Sequence, residues 1–448
     1  MQGNSLTEES STRDGRPMAD AFATETTIIR KLRLRILPFV LLLFVVALID
    51  RNNISLAALT MNKELAITSQ QFGLVFGIFF FGYFIFEIPS NLLLHKIGAR
   101  VWIARILLSW GTVATLTGLV QTAHQLYVLR FFLGVAEAGY FPGMVLYLTY
   151  WFPQRERARA LALLAMATPI TTILGAPISG FILDHTHWLG ISSWRWLLIL
   201  QGAPAIILGA LTYVLLPSRP QEARFLTADE KQWIRDELGR EERQKLEHRR
   251  YSTLQALLNG RVWHLVLIYF GLMVGLWTLN SWGPQLVKSL STHYSNTAVG
   301  LLLTIPNLLA LAAMLAVARS SDRKLERRYH VAIPALVGTA ALLLLGTTPS
   351  PIFCVSLLCL LAAGIFSCLS PFWALPSEFL TGYSAAVGIA LINSVGNLGG
   401  FFGPFTIGFV AERSGTLSVG LALAAVPVFM AAILVLLLPK KERPLAKA

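Results

Sequence analysis

Five charged residues, Asp50, Arg51, Glu87, Arg130 and Glu137, lie inside long apolar stretches of this chain. Acids and arginines set together in such surroundings can do two kinds of chemistry. A carboxyl in a low-dielectric setting is pushed toward its neutral form while a nearby cation pulls it back, so it can change protonation when its neighbours change. An arginine can hold both oxygens of a carboxylate in its planar fork, which a lysine ammonium cannot. Nothing in the pattern offers a nucleophile with a base, and the three cysteines, Cys354, Cys359 and Cys368, fall in one apolar run without metal-ligand spacing. No catalytic residue, metal or cofactor is expected.

The elements that must position these groups are apolar and numerous. Hydrophobic residues make up 55% of the chain and charged residues 14%, against roughly 25% charged in soluble domains. Runs near the ~20 residues needed to cross a bilayer fall at 34–57, 70–93, 101–121, 124–151, 158–184, 194–217, 262–287, 296–318, 331–347, 351–376, 384–410 and 417–438. The run at 331–347 is short, and Pro371 and Pro376 interrupt that at 351–376. This reads as an all-α membrane protein with twelve transmembrane helices.

The net charge of +13 is distributed as a membrane topology signal and not as a nucleic-acid patch. Of the 37 Lys and Arg, 31 fall before the first run, after the last, in loops on that same side, or, as Arg35, Arg105 and Arg159 do, in the first residues of runs that start there. Only Lys63, Arg195, Lys288 and Arg413 fall on the other side, while Arg51 and Arg130 are inside runs. The positive-inside rule then expects both termini in the cytoplasm of a cell whose inner membrane holds the chain. Residues 1–27 are polar and lack an apolar core, so they read as a tail and not as a signal peptide.

The hydrophilic stretch 218–258, helical in pattern around Thr227–Arg243, separates six runs from six. The expected organisation is a tail at 1–33, six-helix halves at 34–217 and 262–438, a central loop at 218–261 and a second tail at 439–448. An offset of 228 residues relates the halves: Ala158, Ala162, Leu163, Gly175, Gly180 and Phe181 recur as Ala386, Ala390, Leu391, Gly403, Gly408 and Phe409, with Asp184 answered by Glu412. Small residues at matched depth let helices approach closely, and parallel halves around a midplane site are how rocking carriers are built.

Each central charge would cost roughly 2.5–3.5 kcal/mol on insertion scales, so the set must be paired or hydrated. Asp50 and Arg130 lie at matching depths, about 10 and 9 Å from the ends of their runs at 1.5 Å per residue, which predicts a contact between them. Glu137, seven residues after Arg130, shares its helical face near the midplane. Arg51 is rotated by about 100° from Asp50 and is the natural cation for a carboxylate ligand. Charged groups deep in spans are confined to the first half, whereas the second offers amides such as Asn280, Asn393 and Asn397. Charge coupling is therefore expected from the first half and ligand contacts from the second. Glu87, just before Pro89, suits a gate or a structural position.

Several segments together resemble the anion:cation symporter branch of the major facilitator superfamily over essentially the whole chain. They are Leu37-Pro38 through Asp50-Arg51-Asn52-Asn53, Phe86-Glu87-Ile88-Pro89-Ser90-Asn91, and Arg130 through Gly134, Glu137 and Gly139. Tyr140-Phe141-Pro142-Gly143, Trp151-Phe152-Pro153, Pro217-Ser218-Arg219-Pro220 and Gly396-Asn397-Leu398-Gly399-Gly400 continue the match. The resemblance implies the major facilitator fold and rocker-switch import of an organic anion, a mono- or dicarboxylate, together with protons. It also implies a monomer in the lipid bilayer with no nucleic-acid partner. By position, Asp50 and Glu137 look like the protonatable pair and Arg130 like their partner. Arg51 and Asn393 look like substrate ligands, with Tyr83, Trp373 and Asn280 lining the cavity. The gate set is Glu87 with Asp322 and Arg323. Two positions depart from the family: His95-Lys96 stands where the loop signature usually has Asp-Arg, and Gln201 where relatives often carry Glu. Tyr140-Phe141-Pro142-Gly143 is most similar to carriers of tartrate, phthalate or hydroxyphenylacetate. Sodium-linked or uncoupled carriage of organic anions is the alternative, and exporters of lipophilic cations seldom need a cavity arginine.

Overall fold

The computed structural model describes residues 18–247, 259–347, 350–379 and 382–438. The first tail up to residue 17, the end of the central loop at 248–258, the second tail at 439–448 and the side chain of His95 lie outside the described residues. The twelve spans are present. The first six are Leu37–Glu64, Ser69–Ile97, Ala99–Thr117, Ala123–Glu137 continued by Tyr140–Thr149, Gln154–His185 and Ser193–Leu215. The second six are Gly260–Ser289, Asn296–Lys324, Arg328–Leu344, Pro351–Phe379, Gly382–Gly396 continued by Gly399–Ser414, and Leu417–Leu437. Among the described residues, nine helical stretches are each long and apolar enough to cross a membrane. The ninth span is shorter, and the eleventh is divided.

Large apolar side chains such as Val214, Ile207, Leu301, Ile333 and Val426 are exposed on the outside of the bundle, as befits helices bathed by lipid. Short polar caps turn the chain between spans. Thr68 and Gln71 form a reciprocal capping box at the start of the second span, and Thr122 and Ser295 cap the fourth and eighth, satisfying donors that a helix start leaves free.

Two expectations about continuity are corrected. The tenth span runs through Pro371 and Pro376 to Phe379 as one helix. Neighbours in a bundle can re-satisfy what a proline frees. The fourth span, read as continuous, instead breaks directly after Glu137: Ala138 leaves helical geometry and Gly139 is left-handed at φ 80°. The Ser90 hydroxyl caps the freed Ala138 carbonyl at 2.6 Å and accepts from Trp102 Nε1 at 3.0 Å. The eleventh span breaks likewise at Asn397–Leu398, where Asn397 Nδ2 donates to the Asn393 carbonyl at 2.9 Å.

Within the first half the third span packs on the sixth and the second on the fourth; within the second half the ninth packs on the tenth and twelfth. The halves meet through the second and eleventh spans, the fifth and eighth, and the first and seventh. We call the end bearing the loops at 65–68, 186–192, 290–295 and 415–416 the far end, and the opposite one the terminal end. At the far end the 228-residue repeat becomes a physical symmetry. Asp184 of the fifth span accepts from the Asn296 and Thr297 backbone N–H groups at 3.0 and 2.7 Å, at the start of the eighth span. Glu412 of the eleventh accepts from the Gln70 N–H at 2.9 Å, at the start of the second. Beside them, a Cβ on Gly180 would lie 2.3 Å from the Asn296 carbonyl oxygen, and one on Gly408 2.2 Å from that of Ser69. The far end is closed by backbone touching backbone.

At the terminal end, two helices dress the first half. Met18–Arg35 begins inside what the sequence alone presented as tail. It buries Ile28, Ile29 and Leu32, and its Lys31 pairs with Glu230 at 2.5 Å. Glu230 opens the loop helix Ala228–Glu247, the helix expected near Thr227. Burial alone would raise the Glu230 carboxyl, but hydrogen bonds from Lys31 and Thr227 outweigh it and hold it below the usual glutamate range.

Gly139→Ala tests the break. The substitution forces an L side chain into the left-handed region, at about 1–2 kcal/mol, and sets a Cβ 2.5 Å from Ser90 Oγ. A lowered thermal unfolding midpoint in detergent is the expected outcome, and an unchanged midpoint would show that the break relaxes freely.

Candidate functional site

A cavity of about 140 Å³ lies between the halves at mid-height. The first half gives it Arg51, Phe79, Phe80, Tyr83 and Thr168; the second gives Tyr269, Trp277, Asn280, Asn393 and Asn397. Arg51 is thus on the wall, as its rotation away from Asp50 predicts. Its guanidinium carbon lies 5.3 Å from the centroid of Phe79, 5.5 Å from that of Tyr83 and 5.8 Å from that of Trp277. Aromatic faces attract a cation and shed water around it.

The ion pairing differs from the reading based on depth. Asp50 and Arg130 form no direct ion pair. The two Asp50 oxygens are taken by Trp110 Nε1 of the third span at 2.5 Å and by Asn53 Nδ2 at 3.0 Å. Arg130 is buried against Phe79, and its Nε donates to the Val75 carbonyl at 3.3 Å. Glu137, which shares a helix with Arg130, instead pairs with Arg51. Matching depth does not fix which way a helix is turned.

The Arg51–Glu137 pair is incompletely satisfied. Glu137 is buried to 1% exposure, and its Oε1 accepts from Arg51 Nη2. Its Oε2, and Nε of Arg51, are buried without a partner, as is Nε1 of Trp277. Two residues of the cavity wall, Arg51 and Trp277, therefore each keep an idle N–H donor, and the Glu137 carboxylate paired with Arg51 uses one of its two oxygens. Buried donors without acceptors are costly, and an anion of suitable size would satisfy both.

The remaining expected residues fall as follows. Glu87 is buried and bridges the halves, accepting from Asn393 Nδ2 at 2.9 Å and Ser394 Oγ at 2.5 Å. Asn393 faces the cavity with its amide already engaged, since its Oδ1 also accepts from Asn397 Nδ2 at 3.1 Å. Tyr83 and Asn280 line the cavity, while Trp373 stands behind Tyr269 with ring centroids 4.9 Å apart. Asp322 pairs with Arg327 of its own half at 2.6 Å, and Arg323 is exposed beside it at the terminal end. Gln201 donates to Ser179 Oγ at 2.8 Å, away from the cavity wall. Sequence reasoning missed Trp110 and Trp277. Asn53 could have been seen as an Asp50 partner, because i,i+3 residues share a helix face. The tryptophans carry no local signal that separates a cavity N–H from lipid-facing bulk.

Spans, broken helices and a charged midplane cavity together define a carrier, and comparison with known proteins assigns its family. The model of the Major Facilitator Superfamily matches residues 40–404 and 291–448. The chain belongs to that superfamily of multi-pass membrane transporters. It is 44% identical over 417 residues to a proposed tartrate transporter of Agrobacterium vitis, covering 93% of this chain and 95% of the relative. It is 38% identical over 410 residues to a quinolone resistance transporter of Acinetobacter baumannii, covering 92% and 94%. The fold is that of the xylose transporter XylE from E. coli, with a TM-score of 0.73 at 16% identity over 92% of this chain and 99% of that one.

Arg51→Lys keeps the charge but loses the fork. Carboxylate affinity of the purified protein is expected to fall by about 10-fold or more, because one charge-assisted hydrogen bond has no replacement. Wild-type affinity in this variant would leave Arg51 a purely structural partner of Glu137.

Proposed function

We propose that this transporter imports an organic anion, a mono- or dicarboxylate, in symport with protons by alternating access of a midplane cavity. The observation that carries the reading is the pairing of Arg51, on the cavity wall, with Glu137 behind it, where Arg51 Nε, Glu137 Oε2 and Trp277 Nε1 are buried and unpartnered. A substrate carboxylate and the Glu137 carboxylate compete for one guanidinium. When Glu137 takes a proton its hold on Arg51 weakens, and the substrate carboxylate replaces it. Loss of the substrate returns Arg51 to Glu137 and expels the proton. Binding and protonation are thus linked through a single cation, with Asp50 and Arg130 setting the surrounding field.

Orientation follows from charge. The terminal end holds most of the lysines and arginines, so it faces the cytoplasm of an inner membrane, with both termini inside. The chain acts as a monomer of two rocking six-helix halves, 34–217 and 262–438, joined by the central loop. Asn393, Asn280, Tyr83 and Trp373 contribute to the substrate cavity from its walls and from behind them. Glu87, Asp322 and Arg323 belong to the gating contacts, Glu87 by bridging the second and eleventh spans. The relative named for tartrate supports an organic acid as cargo. The one named for quinolone resistance supports a second reading, proton-linked export of an aromatic carboxylate, which the Phe79, Phe80, Tyr83 and Trp277 lining would accept.

Uptake into liposomes by the purified protein separates these readings. With a panel of carboxylates and an imposed pH gradient, accumulation is expected on the side toward which protons flow, and a protonophore abolishes it. Accumulation that persists with the protonophore and needs sodium would overturn proton coupling, and movement against the proton flow would favour export.

Glu137→Gln isolates the coupling step. An amide imitates the protonated acid permanently, so substrate exchange between loaded sides is retained. Concentrative uptake requires the empty carrier to return without its proton, and in this variant it is lost. The proposal is falsified if Glu137→Gln accumulates substrate against a gradient as the wild type does.

A further inference from the structure

Beside the Arg51–Glu137 pair lies a polar group that the cycle described above does not use. Tyr140, the first helical residue after the break in the fourth span, is buried to 1% exposure. Its hydroxyl has no partner among the described residues. The left-handed turn at Gly139 sends the next two side chains to different sides. Phe141 reaches the cavity, whereas the Tyr140 ring packs edge-on against Trp110 of the third span, with centroids 5.8 Å apart. A buried hydroxyl left idle costs more than the bare ring of phenylalanine in the same place, so its presence calls for a state in which it is used.

The choice of partner is narrow. The charges of Glu137 and Arg51 both act on the hydroxyl. Asp50, the other acid nearby, already has one oxygen on Trp110 and the other on Asn53. Arg130 is turned to Val75 and Phe79, and Arg105 of the third span to Trp102. In the second span, Glu87 is engaged by Asn393 and Ser394, and Tyr83 stands on the cavity side of Arg51. The fifth span has no titratable side chain from Ala160 to Leu183. Among these groups only Glu137 keeps a buried oxygen to spare, its Oε2.

We propose that Tyr140 is a positioning residue for the proton step: its hydroxyl receives the Glu137 carboxyl once that group is protonated and has let go of Arg51. In the resting state the guanidinium holds Glu137 Oε1 and the hydroxyl waits. Protonation removes the ion pair, and the neutral acid would then be buried without a partner, which is costly. A phenol can donate to the acid's carbonyl oxygen or accept from its O–H. The proton stays on Glu137, and the phenol keeps its own. Because the contact favours the neutral acid over the charged one, it makes proton uptake easier. This rests on the proton-coupled reading above and adds to it the place where the loaded carboxyl is held.

Infrared difference spectra of the full-length purified protein, recorded without substrate as the pH is lowered, read the carboxylic-acid C=O stretch directly. The Glu137 band is the one absent from Glu137→Gln. In the wild type it is expected at the frequency of a hydrogen-bonded acid. In Tyr140→Phe it is expected at the higher frequency of a free acid, appearing at a pH lower by about half a unit to one unit, the scale of one buried hydrogen bond. The thermal unfolding midpoint of Tyr140→Phe at neutral pH is expected to be unchanged or raised, since no resting contact is removed; a lowered one would give the hydroxyl a resting partner and overturn the proposal. A free-acid frequency in the wild type, or a band that Tyr140→Phe leaves at the same frequency, would overturn the role of Tyr140 and leave Glu137 the proton carrier. The absence of any Glu137 band at every pH where the protein stays folded would overturn the proton-coupled reading and this one together. Should Tyr140→Phe fail to fold, the wild-type frequency decides.

Discussion

Between the first and fourth spans, Arg51 and Glu137 hold one another in surroundings where neither could stand alone. Removing either partner of a buried ion pair is far more damaging than replacing both, because the survivor keeps its desolvation cost. Much of the nearby architecture serves this one contact. The fourth span breaks immediately after Glu137, and Ser90 and Gly139 fix the break. Phe79, Tyr83 and Trp277 surround the guanidinium. Trp110 and Asn53 occupy the two oxygens of the neighbouring Asp50.

The two halves solve the problem of polar groups in lipid differently. The first carries charges and neutralises them locally, by ion pairing, by an indole N–H or by a backbone carbonyl. The second carries asparagines and folds their nitrogens back onto carbonyls one turn earlier, as at Asn280, Asn307 and Asn397. A mid-span amide tied in this way is locally half-satisfied and presents a single face of oxygen.

The spans, the duplication and the set of midplane charges were all legible in the sequence, because apolar length, a fixed offset and the rarity of buried charge are local or one-dimensional signals. The pairing of those charges was not. Asp50 and Arg130 match in depth, yet azimuth decides contact, and azimuth is set by how helices pack. The breaks at Gly139 and Asn397 lay inside long apolar runs, so hydropathy could not reveal them. The helix Met18–Arg35 was missed for the reverse reason. Its apolar stripe of Ile28, Ile29 and Leu32 is short and becomes meaningful only against the surface it covers.

The far-end closure has a consequence for the opposite state of the cycle. Asp184 and Glu412 each sit on the first amide groups of a helix in the other half, where the helix dipole is positive. Were the halves to part here, those carboxylates would withdraw and uncover the starts of the second and eighth spans. The mouth that forms is then fringed by unsatisfied N–H donors, so the latch leaves behind a weak anion lure. Anions in the surrounding solution would then compete with Asp184 and Glu412 for these positions, and the composition of the medium would bear on closure.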